Sequence, residues 1–156
     1  MEPSFFLHQI TCGALAASGF GVLFNISLRS LPWCAATGAL ALAVRTLCLE
    51  SGWNFEGASF AAALAVGIAV RTLQTRTEIS RGVLSVTGCI PMVPGSFAAK
   101  AILGLIAVSQ QPGGDAAATL IAAVQSSLRV IFTIGAIGTG LAIPSLLLRV
   151  RIARKI

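Results

Sequence analysis

Gly88-Cys89-Ile90-Pro91-Met92-Val93-Pro94-Gly95-Ser96 lies inside an apolar run covering residues 83–108. Two prolines three apart, followed by glycine, do not continue an ordinary α-helix. Each proline lacks an N–H and crowds the carbonyl four residues back, and Gly95 has access to backbone angles closed to other residues. Lipid does not satisfy the freed carbonyls. Broken backbone at membrane depth persists only where protein buries it or a wet cavity meets it. The stretch is therefore where a passing solute is expected to meet the chain. The bland alternative is a packing kink.

The membrane setting follows from composition. Of 156 residues, 56% are hydrophobic and 10% charged, against about 45–50% and about 25% in soluble domains. The apolar residues come in blocks long enough to cross the hydrocarbon core of a bilayer. The reading is an all-α integral membrane protein, one domain over residues 1–156, with about five transmembrane helices over 5–24, 33–49, 57–73, 83–108 and 116–148. The fourth is broken at Pro91, Pro94 and Gly95. The last block has 33 residues, roughly 50 Å at helical rise, so it is tilted, bent or divided.

Net charge is +6. The Lys and Arg residues stand at block ends or singly inside blocks, which reads as topology and not as a nucleic-acid surface. No basic n-region precedes the first block, so it is expected to stay in the mature protein. Cys12, Cys34, Cys48 and Cys89 lie within apolar blocks without a CxxC pair; inert buried thiols are expected, with no metal and no cofactor. His8 reads as interfacial, with a proton role as the lesser option. Asp and Glu lie only in loops and near the N-terminus, and no nucleophile–base pair is visible, so an enzyme is not expected.

Small residues mark close helix approach: Gly13, Ala17 and Gly21 in the first block, Ala63 and Gly67 in the third, and Gly135, Gly138 and Gly140 in the last. Pro32 suits a first helical turn, and Trp33 suits headgroup depth. Thr75 and Glu78 match a capping box, and Asp115 is placed as an N-cap. Arg45 has two readings, snorkelling to the interface or facing a cavity. Lys100 lies four residues past Ser96, and Gln125, Arg129 and Thr133 form an i, i+4 ridge. An arginine half-way along a span costs a few kcal/mol on insertion scales, which turns it toward a cavity or partner.

Asn25-Ile26-Ser27-Leu28-Arg29-Ser30-Leu31-Pro32-Trp33-Cys34, then Ile90-Pro91-Met92-Val93-Pro94-Gly95, then Gly140-Leu141-Ala142-Ile143-Pro144 resemble the threonine/serine exporter (ThrE) superfamily, most of all its small split subunit of the YjjB type. The likeness spans nearly the whole chain. It implies an inner-membrane subunit working with a larger YjjP-type partner, the pair corresponding to the two halves of a fused exporter. Split pairs of this kind are associated with succinate export, fused members with threonine and serine. Pro91, Pro94 and Gly95 are carried over as the family's central element; Lys100 and Arg129 are not. The leading expectation is half of a secondary transporter exporting a small carboxylate, succinate first and threonine or serine as alternative. The other reading is a structural subunit whose partner holds the site. Substrate-binding candidates are Pro91, Pro94, Gly95, Ser96, Lys100, Arg129, Gln125 and Arg45.

Basic connections (Arg29; Arg76 and Arg81; the tail from Arg149 to Lys155) alternate with acidic ones (Glu2; Glu50 and Glu56; Asp115). The positive-inside rule then puts the N-terminus in the periplasm and the C-terminus in the cytoplasm. A fluorescent-protein fusion after Ile156 is expected to glow and an alkaline phosphatase fusion there to be inactive; the reverse pattern overturns the orientation.

Overall fold

Proline, asparagine, serine and glycine set where the helices of the computed structural model begin and end. It describes residues 3–73, 79–110 and 116–153, the last seven of these in backbone only. Helix α1 (Pro3–Leu23) stops where Asn25 takes a left-handed φ of 55°, a conformation asparagine tolerates better than most residues. A 3₁₀ turn, Leu28–Ser30, leads into α2 (Leu31–Glu50), with Pro32 in its first turn as expected. Gly52 (φ 84°) closes α2 in a left-handed C-terminal turn, in which Trp53 N–H donates to the Cys48 carbonyl at 3.0 Å. Asn54 caps α3 (Phe55–Leu73) by accepting the Gly57 N–H at 3.1 Å.

The fourth segment is broken where the prolines require it. Helix α4 (Arg81–Cys89) starts from the Ser80 N-cap and passes into a 3₁₀ turn, Ile90–Met92. Helix then resumes as α5 (Gly95–Gln110). The last block is one uninterrupted helix, α6 (Ala116–Ala153), 38 residues long with Pro144 inside it. At about 1.5 Å per residue it is roughly 57 Å long, against a hydrocarbon core of about 30 Å. Among the described residues, four helices are long and apolar enough to cross a membrane, or five with the broken α4–α5 pair taken as one span. Large apolar side chains such as Leu15, Leu23, Leu103 and Ile131 are exposed, on a scale that suits a lipid surrounding. The protein is thus an all-α, multi-pass membrane protein. The Thr75–Glu78 capping box, Arg76, Asp115, Glu2, Arg154 and Lys155 fall outside the described residues, and the side chains of Arg149 and Arg151 likewise.

Two compact units divide the chain, Val93–Gly135 forming one and the remainder the other. In the larger, α1 meets α2 through the expected small-residue ridge. Gly13, Ala17 and Gly21 are the buried positions of α1. A Cβ on Gly13 would stand 2.7 Å from the Gly38 carbonyl oxygen, and one on Gly38 would strike the Ala17 methyl and the Gly13 backbone. Helix α4 crosses α2 at Gly88, where a Cβ would lie 2.8 Å from Cβ of Thr37; the C-terminal part of α6 meets α3 at Gly140, 2.8 Å from the Phe60 carbonyl oxygen on the same measure. Of the three glycines expected to pack closely in the last block, only Gly140 does; Gly135 and Gly138 face open space. The core gathers Cys34, Leu42, Val66, Val70, Leu84 and Met92. In the smaller unit, α5 and α6 approach at Gly104, where a Cβ would come within 2.9 Å of the Ala123 methyl.

Overpacking a closed crossing costs about 1–3 kcal/mol. Gly38→Leu is expected to lower the unfolding midpoint in detergent by several degrees, whereas Gly19→Leu, with nothing within 4 Å of its Cβ position, leaves it unchanged or raises it. Equal effects would contradict the α1–α2 contact.

Candidate functional site

The broken stretch leaves backbone oxygens without helical partners. Pro91 has no N–H for the carbonyl of Thr87, and Pro94 none for that of Ile90. The Met92 carbonyl is satisfied from another helix: Arg45 of α2 donates from Nη1 to Met92 O at 3.1 Å. The same guanidinium lies over the Phe55 ring at the start of α3, with Cζ 4.1 Å from the centroid. The Arg45 head is thus turned toward neighbouring elements of the chain. It bridges α2, the start of α3 and the break.

Around it lies a cleft of about 620 Å³, lined by Gln9, Arg45, Thr46, Glu50, Phe55 and Pro91 together with apolar Phe5, Leu42 and Leu49. The volume is within the roughly 300–1,000 Å³ of small-molecule sites. The lining is mostly hydrocarbon and aromatic, with one cation, one carboxylate, an amide and a hydroxyl. Of the expected site residues, Arg45 and Pro91 are here. Gln9, Thr46, Glu50 and Phe55 were not expected as site residues; Glu50 was read as a topology signal alone. Nothing in the spacing from Gln9 to Phe55 announces their convergence, which depends on α1 and α2 packing antiparallel through glycine.

The smaller unit holds the other candidates. Gly95 N–H donates to the Val93 carbonyl at 2.8 Å, and the N–H groups of Phe97 and Ala98 both donate to the Pro94 carbonyl at 3.1 Å. This sets the first turn of α5. Ser96 and Lys100 follow on that helix as i, i+4 neighbours, both exposed. Phe97 organises the charges: Lys100 Nζ is 5.7 Å from its ring centroid and Arg129 Cζ 4.9 Å. Gln125, one turn before Arg129 on α6, is exposed, and Thr133 is buried with its hydroxyl donating to the Arg129 carbonyl at 2.7 Å. Lys100 and Arg129, widely separated in sequence, thus share one aromatic ring, which sequence spacing did not reveal.

Two expectations need correction. Gly95 does not use the angles that only glycine reaches; among the described residues positive φ occurs at Asn25 and Gly52. Pro94, with its fixed φ, makes the turn, and Gly95 serves as an ordinary first residue of α5. The cysteines are not uniformly buried either. Cys34 and Cys89 are, Cys48 is half-buried, and Cys12 is exposed, one helical turn from His8 with Sγ 3.6 Å from Nε2.

A family model described as threonine/serine exporter, ThrE, matches residues 9–147, and no solved structure matches the chain. The chain belongs to the threonine/serine exporter family, a family of transporters and not of enzymes.

No atom lies within 4 Å of a Cβ built on Gly95. Gly95→Ala is therefore expected to keep the unfolding midpoint or raise it by the equivalent of about 0.4–1 kcal/mol, the usual gain where alanine fits the native backbone. A marked loss of stability would show that α5 needs glycine there.

Proposed function

We propose that this threonine/serine exporter family member is one subunit of a secondary exporter of a small carboxylate-bearing solute, and that Arg45 takes the solute's carboxylate. The observation that carries this is the position of the Arg45 guanidinium, fixed by Met92 O and the Phe55 ring inside a cleft of about 620 Å³. A guanidinium presents five donors in a planar fork that matches a carboxylate, and the Met92 contact uses one. Glu50 in the same lining supplies a negative group, Gln9 and Thr46 a neutral amide and hydroxyl. That set suits an amino acid: carboxylate on Arg45, ammonium toward Glu50, hydroxyl on the neutral groups. Threonine and serine fit it better than succinate, whose second carboxylate would meet Glu50. Succinate, the first expectation from the split-subunit resemblance, is the second reading, and it needs Glu50 protonated or turned away.

Lys100, Arg129, Gln125 and Ser96 are proposed as a second station for the carboxylate. Pro91 forms part of the cleft wall, and Pro94 and Gly95 set the first turn of the helix that carries Ser96 and Lys100. The chain is proposed to act with a larger YjjP-type subunit in a bacterial inner membrane. Five spans, with the α4–α5 pair counted as one, would suit this, because two such units joined end to end lie inverted, the arrangement from which many carriers build alternating access. On the N-outside orientation, the Arg45 cleft lies toward the periplasm, where an exporter releases its solute. For an anion the membrane potential favours exit by about 2.3 kcal/mol per charge at 100 mV.

Uptake of labelled threonine, serine and succinate into everted vesicles bearing this chain, the partner, or both tests the proposal. Flux is expected only with both. Arg45→Gln, with assembly intact, should reduce it on the order of tenfold or more, as loss of a charge-assisted pair implies; Glu50→Gln should shift preference from amino acid toward succinate. Flux unchanged in Arg45→Gln would leave Arg45 as a structural cap and move the site to the partner.

A further inference from the structure

A second recess lies between the C-terminal end of α3, the first turns of α4 and the Pro144 region of α6, all within the larger unit. Its volume is about 60 Å³, and Arg71, Arg81, Ser85 and Ser145 bring polar groups to it, with Gly67 and Pro144 also in the lining. We propose that Arg71 and Arg81 form a binding site for a single carboxylate or phosphate group, separate from the Arg45 cleft and independent of the solute assigned to it.

Arg71 on α3 and Arg81 on α4 both line this one small space. An acid group seated in the recess would gain charge-assisted contacts from both side chains. Among the described residues no carboxylate lines the recess; Glu50 and Glu56 stand at the opposite ends of α2 and α3. Arg71 is half-buried, and Arg81 is exposed. Ser145 spends its hydroxyl proton on the Ala142 carbonyl at 2.7 Å, which leaves Ser85 as the hydroxyl donor to a guest. The N-terminal end of α4, at Ser80 and Arg81, adds the positive end of a helix dipole.

The floor of the recess is closed. A Cβ on Gly67 would come 3.1 Å from Pro144 Cγ, so α3 and α6 touch there. Size then selects the guest. One water needs about 10–15 Å³ of such volume, so about 60 Å³ admits an acid group of four or five heavy atoms, not a whole amino acid. Two sources supply that chemistry: the headgroup of an acidic phospholipid, and a free anion carrying carboxylate or phosphate.

The test is thermal unfolding of the purified full chain in uncharged detergent, with phosphatidylglycerol doped into the micelles, or with inorganic phosphate or succinate in solution. At least one is expected to raise the midpoint, with an apparent affinity on the order of tenfold weaker in Arg71→Gln/Arg81→Gln, as expected for loss of charge-assisted contacts. A response to phosphatidylglycerol alone assigns a lipid headgroup, and a response to soluble anions assigns a solute. Arg29→Gln, which removes an exposed cation elsewhere, should keep the response. Ser85→Leu, which fills the recess while keeping both charges, should lose it, and this arm stands if the double variant does not fold. No response to any anion, an undiminished response in Ser85→Leu or the double variant, or an equal loss in Arg29→Gln would overturn the site.

Discussion

The contact between Arg45 and the Met92 carbonyl joins two features that are each unfavourable alone. A backbone oxygen freed in an apolar setting costs several kcal/mol if nothing donates to it. A guanidinium within an apolar span is costly as well. Brought to 3.1 Å, with the Phe55 ring beneath the cation, each offsets part of the other's cost. Pro91 and Pro94 can therefore break the fourth segment, and α2 can carry a charge within its length. Removing either partner alone exposes the full penalty of the other, the usual asymmetry of buried polar pairs.

That contact requires α2, α3 and the break to lie close together, and in a bilayer hydrophobic burial does not bring helices together. Small residues do so by letting backbones approach. The Gly13–Gly38 crossing sets α1 on α2, Gly88 sets α4 against Thr37, and Gly140 sets α6 on the Phe60–Leu64 backbone. Each is a place where even a methyl group would collide. The larger unit thus fixes its geometry by steric exclusion at these crossings and leaves many of its large apolar side chains for lipid. The cleft beside Arg45 is what remains when the outer turns of α1 and α2 and the start of α3 are held by crossings deeper along the helices.

Composition and proline chemistry made the membrane class and the break in the fourth segment legible, since these depend on local properties: apolar block length and absent N–H groups. The Gly13-Ala17-Gly21 ridge was legible for the same reason. What was not legible depended on which helix lies beside which. Arg45 had two readings because its sequence neighbours do not reveal that Met92 and Phe55 surround its head. Lys100 and Arg129 stood out as embedded cations, but their shared ring, Phe97, looked like any apolar residue. Gly135 and Gly138 had the composition of a contact and face open space; periodicity does not say which face of a long helix meets a neighbour. Gly95 shows the opposite error. A glycine after proline suggests a special turn, yet Pro94 and the Gly95-to-Val93 hydrogen bond make that turn with ordinary angles.

On the proposed function, one guanidinium has two tasks, and the strengths of its contacts determine how they combine. A neutral carbonyl such as Met92 O is a weaker acceptor than a carboxylate; hydrogen bonds with both partners ionised are roughly twice as strong. A solute carboxylate reaching Arg45 through the open fork leaves the Met92 contact intact. One that competes for Nη1 displaces the carbonyl and frees the residue at which the chain passes into Val93 and the smaller unit. The carbonyl then needs another donor, and in a cleft of this size water supplies it at small cost. Solute binding and the state of the broken backbone are in that way linked through a single side chain. The linkage does not require Arg45 to move far. It requires only that the partner it prefers be absent when the cleft is empty.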